Sequence, residues 1–77
     1  MQRQFWFNLS ISYPEFEHHY YAEGVKQLLV RDDNGVTIAI PCGRFVPFIG
    51  ARGITGRFCL TIDEQGRFVD LQQVNSG

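Results

Sequence analysis

The chain has 77 residues of ordinary globular composition, 44% hydrophobic and 19% charged, which makes one domain over 1–77 and excludes a disordered chain. Its net charge of −1 supplies no global field to attract a polyanion. No apolar run approaches the ~18 residues of a membrane span, and the start, MQRQFWFNLS, lacks the charged and long apolar regions of a secretory leader, so a cytoplasmic protein is expected.

Phe5, Phe7, Leu9 and Ile11 alternate with Trp6, Asn8, Ser10 and Ser12. A period of two over 3–11 predicts a strand with one apolar face. Ser12-Tyr13-Pro14-Glu15 then carries a capping serine, an early proline and the glutamate of an S-x-x-E box. These predict a short helix over 13–22, ended by Gly24, with Phe16 and Tyr20 facing the sheet. Residues 25–31 and 36–40 predict two strands around Asp32-Asp33-Asn34-Gly35. A three-residue loop, 33–35, sets Val30 opposite Ile38 and Leu28 opposite Ile40, and puts Gly35 where a left-handed residue is wanted.

Residues 41–49, PCGRFVPFI, hold two prolines and are barred from a central strand. They predict an irregular or 3₁₀ connection that drops Phe45, Val46 and Phe48 onto the core. Gly50-Ala51-Arg52-Gly53 is a turn. Residues 54–62 and 67–74 predict a last hairpin. A four-residue loop, 63–66, pairs Ile62 with Arg67, Leu60 with Val69 and Phe58 with Leu71, gathering most of these side chains on one face. Residues 75–77 are expected to fray. Together these elements predict a mainly β (α+β) fold: a five-stranded antiparallel sheet, strongly curved or partly closed into a small barrel, with one short helix after strand 1.

The tripeptide Gly-Arg-Phe occurs at 43–45, 56–58 and 66–68. In the register above, Arg57 and Arg67 lie roughly 17 Å apart along the hairpin. The repeats therefore serve as turns that hand over to strands or core contacts, and Arg57 faces Asp70 diagonally as a surface ion pair. Arg44, Arg52 and Arg57, with Phe48 beside them, form a different candidate group. If the 50–53 turn folds Arg52 back towards Arg44, they make a positive patch for a carboxylate, a phosphate or an acidic partner surface.

Catalytic chemistry finds little support. Ser10, Ser12 and Cys42 lack a histidine or acid at motif spacing, and no phosphate-binding glycine loop is present. Cys42 and Cys59 have no metal-ligand spacing and are expected to be reduced. Glu15, Glu17, His18 and His19 supply metal-ligating types, but adjacent histidines on a helix point about 100° apart, so a solvated helix face is the expected reading. A small metal-dependent activity is the weaker alternative. No metal and no cofactor are expected.

The strand FWFNLSIS, the helix end YAEG, the turn DDNG, then RFVPFI and GITGRFCLTID…GRF, resemble the small bacterial family catalogued as domain of unknown function 2835. The resemblance covers nearly the whole chain and implies a self-contained, cytoplasmic, bacterial protein. It brings no activity, cofactor or catalytic residue. Function is therefore expected to be a non-enzymatic binding or assembly module. It would act through a protein partner or through a homodimer built on the uncharged edge of strand 1 or on Trp6. The alternative is a nucleic-acid-binding small barrel that uses the arginines and aromatics.

Overall fold

A computed structural model describes residues 1–21 and 26–74. The expected stop at Gly24, the last residue of the expected helix, the first of the expected second strand and the 75–77 tail lie outside the described residues. In chain order the elements are β1 (Arg3–Ile11), α1 (Tyr13–Tyr20), β2 (Gln27–Arg31), β3 (Thr37–Pro41), the 3₁₀ segment η1 (Cys42–Phe48), β4 (Ile54–Ile62) and β5 (Phe68–Val74). All strand pairings are antiparallel.

The five strands do not form one sheet. β1, β4 and β5 make a three-stranded sheet in the order β1-β4-β5, and β2-β3 makes a separate two-stranded sheet. This corrects the expected single sheet and barrel. The reason lies in η1. Pro41 just before it and Pro47 within it oppose a strand that would bridge β3 to β4, and Phe45 and Cys42 sink into the core instead. Phe7, Phe58 and Phe45 are wholly buried. Phe7 stacks on Phe58 with centroids 5.7 Å apart, and Phe45 meets Phe58 edge-on at 5.9 Å. Such contacts contribute about 0.5–1.5 kcal/mol each beyond area burial. Leu28, Val30 and Ile40 bring the hairpin into the same cluster, and Phe16 brings the helix.

Helix α1 starts as its sequence directs. The Ser12 hydroxyl accepts a hydrogen bond from the Glu15 N–H at 3.3 Å, and Pro14 sits in the first turn. The junction before it is tight. Gly53 has φ +102°, and a Cβ there would lie 2.2 Å from the Ile11 carbonyl oxygen and 2.6 Å from the Tyr13 nitrogen. Only glycine lets the 50–53 turn pass this close to the backbone.

The two hairpins use one turn design twice. Asp32 Oδ1 accepts from the Asn34 and Val36 N–H groups at 2.9 and 2.7 Å. Asp63 Oδ1 accepts from the Gln65 and Arg67 N–H groups at 2.9 and 2.8 Å. Gly35 and Gly66 supply the left-handed residue, with φ +83° and +81°. Both loops thus have three residues, and in the first hairpin Val30 faces Ile38 and Leu28 faces Ile40, as expected.

The same turn corrects the register of the second hairpin. Leu60 pairs with Leu71 and Ile62 with Phe68, while Phe58 faces Gln73. A three-residue loop alone would scatter the apolar side chains. A bulge prevents that: Thr61 pairs with Asp70 and Ile62 with Phe68, leaving Val69 as the extra residue. Val69 is exposed, while Leu71 is buried and Phe68 packs on the core. Val46, expected in the core, is also exposed.

Leu71→Ala is expected to lower stability by about 2–5 kcal/mol, whereas Val69→Ala should stay under about 1 kcal/mol. Chemical denaturation of both variants checks the bulged register, and the reverse ranking would point to the unbulged one.

Candidate binding surfaces

The structure disperses the arginines expected to gather. Arg44, in the first turn of η1, lays its guanidinium over the Phe68 ring, 4.1 Å from the centroid. Phe68 pairs with Ile62 at one end of β4. Arg52 lines a shallow depression with Phe48, Thr55 and Gln73 near the other end of that strand. Ile62 and Thr55 lie seven residue steps apart along β4, about 23 Å at ~3.3 Å per residue.

Arg57 is committed elsewhere. It faces Asn8 on the outer side of the three-stranded sheet, and its Nη1 donates to Asp33 Oδ1 at 3.2 Å and to Asn8 Oδ1 at 3.4 Å. Its Nη2 pairs with Asp33 Oδ2. The expected partner, Asp70, sits opposite Thr61 and is too far along the hairpin. Arg67 closes on Asp63, Nε to Oδ2 at 2.9 Å. The three Gly-Arg-Phe copies therefore do not form one repeated surface: two supply wholly buried phenylalanines, and the arginine of one stacks on the half-buried phenylalanine of another.

Asp33 has a structural task beyond its ion pair. Its N–H donates to the Trp6 carbonyl at 2.9 Å. The tip of the β2-β3 hairpin thereby caps the outer edge of β1, which sequence alone left open. Trp6 is 40% exposed on the outer face, opposite Cys59.

Neither cysteine is prepared for nucleophilic work. Both are free and buried, and burial pushes both thiols up, away from the reactive thiolate. His18 and His19 are exposed, with ring centroids 5.9 Å apart. Among the described residues no three of His, Cys, Asp and Glu come together as a metal site.

A concave surface lies between α1 and η1. Tyr13, Phe16, Tyr20 and Tyr21 form one wall and Val46 and Ile49 the other, around a groove of about 200 Å³ with Glu17 on its rim. Phe16 is the buried floor, whereas Tyr21 is 70% exposed and Tyr13 and Val46 are each 45% exposed. The helix positions these groups by its own spacing: Tyr13, Phe16, Glu17 and Tyr20 recur at three and four residues and share a face. The helix spacing placed Phe16 and Tyr20 on one face in the sequence; Val46 and Ile49 were not legible as an opposing wall. A second groove, of about 270 Å³, lies between the β3 edge and the far end of β4-β5, lined by Ile38, Ile40, Leu60, Ile62 and Phe68 among others. No helix among the described residues is long and apolar enough to cross a membrane.

The chain belongs to the family described as Protein of unknown function (DUF2835), which matches residues 3–74. Comparison with curated proteins and with solved structures gives no match.

The Arg57 hydrogen bonds hold the Asp33 carboxyl below the usual carboxylate range. A lowered folded-state pKa stabilises the fold above the unfolded value of about 3.9, and that stabilisation is lost as pH falls through the lowered value. Asp33→Asn should therefore be less stable than the native chain at pH 7, with the gap closing in acid below about pH 4. Denaturation of both proteins across this range tests it; a gap independent of pH would rule out an ionic origin.

Proposed function

We propose that this domain is a non-enzymatic binding module that takes a protein partner in the groove between α1 and η1. The observation that carries this reading is the cluster of exposed aromatic and apolar side chains around that concavity, Tyr13, Tyr21 and Val46 above all. Tyrosine is favoured at interfaces because one end of the ring is apolar and the other hydrogen-bonds.

Size discriminates between occupants. Cofactor and small-molecule sites span about 300–1,000 Å³, and the groove offers about 200 Å³. That volume suits a few side chains from a partner surface better than a whole cofactor. Glu17 on the rim adds a direction: the fitting segment presents an apolar anchor followed by Lys or Arg. A nucleic-acid reading lacks comparable support, because Arg44 and Arg52 sit near opposite ends of β4 and Arg57 is held by Asp33.

A photo-crosslinking amino acid placed at Tyr21 in living cells is expected to trap one defined protein, identified by mass spectrometry. The same group at Leu29, which is 72% exposed on the other sheet, should not trap it. Tyr13→Ala should reduce the yield at position 21 about tenfold or more, the scale of a 1.4 kcal/mol loss at a binding anchor. Equal patterns from positions 21 and 29, or salt-sensitive retention of polynucleotide in place of a protein adduct, would overturn the reading.

A further inference from the structure

We infer that the β3 edge pairs with the β3 edge of a second copy, joining two hairpins into one four-stranded antiparallel sheet. The inference is independent of the α1-η1 groove and starts from the strand edges. The β1 edge is capped at Trp6 by the Asp33 N–H. The β5 edge is broken by the Val69 bulge and carries Asp70, two devices that discourage pairing. The outer side of β2 presents Gln27 and Arg31 and ends in the Asp33 contact. The stretch Val36-Thr37-Ile38-Ala39-Ile40 has no charge, no bulge and no proline, and Pro41 follows at its end.

Backbone direction is set by bonds already made. The Asp32 N–H donates to the Val36 carbonyl and the Cys42 N–H to the Lys26 carbonyl. By alternation, residues 36, 38, 40 and 42 turn their polar groups towards β2, and Thr37 and Ala39 turn theirs outward. Both residues are exposed, and no hydrogen bond to their outward groups occurs among the described residues.

The sequence of this edge is self-complementary about one residue. With Ile38 on the two-fold axis, Thr37 pairs with Ala39 of the second copy and Ala39 with its Thr37, making four backbone hydrogen bonds. The intervening positions place Ile38 against Ile38 and Val36 against Ile40, all on the apolar face. Val36 is 47% exposed and Ile38 half-buried in the single chain, so pairing covers both and extends the apolar lining of the adjacent groove. The registers on either side are poorer. Centring on Ala39 sets Thr37 against Pro41, which has no N–H to give. Centring on Thr37 sets Ile40 against Asn34. A two-stranded hairpin is marginal by itself, and this pairing supplies the strands that it lacks within the chain.

Sedimentation of the whole chain from micromolar to millimolar concentration should show a monomer–dimer equilibrium. Ala39→Pro removes two of the four bonds between copies and none within the hairpin. It should leave the circular dichroism spectrum unchanged and weaken association about tenfold or more. Ile38→Cys gives a second, independent readout. Directly opposed non-hydrogen-bonded residues have Cα atoms about 4.5 Å apart, within disulfide reach, so this variant should oxidise to a covalent dimer. Leu29→Cys, on the neighbouring strand, should not. Monomer at every concentration, a dimer indifferent to Ala39→Pro, or equal cross-linking at positions 38 and 29 would each overturn the inference.

Discussion

Neither sheet of this domain can bury its apolar face by itself, and the rest of the structure follows from that constraint. A two-stranded hairpin is marginal in water by itself, and a three-stranded sheet with one apolar face must bury that face against another layer. They become one folded unit by sharing a single apolar layer in which Phe7, Phe58 and Phe45 interlock. Phe45 comes from neither sheet but from η1, so the segment that the prolines keep out of strand structure holds the two sheets together. Phe48, from the same segment, meets Phe58 edge-on at 5.4 Å.

The exposed features are consequences of this arrangement. Because η1 descends into the core, its far side and the helix leave a trough between them, walled by Val46 and Ile49 on one side and tyrosines on the other. Because the hairpin lies against the three-stranded sheet instead of extending it, its tip reaches β1 and is fixed there by Asp33, through the Trp6 carbonyl and the Arg57 guanidinium. The opposite edge of the hairpin, β3, receives no such backbone contact among the described residues. A groove and an edge that is unpaired within the described chain thus arise from the same packing solution.

What the sequence made legible was local. The alternation from Phe5 to Ile11, the Ser12 cap and the Asp32–Gly35 turn each act over a few residues, and each reads correctly. The family likeness was legible as well, since it rests on these same strands and turns. The second hairpin was misread because two local facts act in opposition. The Asp63 turn shortens the loop by one residue, and the Val69 bulge restores the face that the shorter loop would lose. Nothing in the residue types around Val69 marks a bulge. Whether β1 would pair with β4 or with β2 is a long-range choice, and alternation is silent on it. The arginine patch failed for the same reason: proximity along the chain across a 3₁₀ segment does not become proximity in space. The helix face with Phe16 and Tyr20 was legible, but the opposing wall of its groove depended on how η1 rolls, which sent Phe45 inward and Val46 outward.

The central claim is that, within a single chain, the β2-β3 hairpin has no stability apart from the shared phenylalanine layer. Native-state amide hydrogen exchange addresses it residue by residue. If the claim holds, the amides of Leu28, Val30, Ile38 and Ile40 exchange with the same opening free energy as those of Phe58 and Leu60 in β4, and Phe45→Leu lowers both sets together. Hairpin amides that exchange at a distinctly lower free energy, untouched by Phe45→Leu, would show that the hairpin opens by itself and would contradict the account.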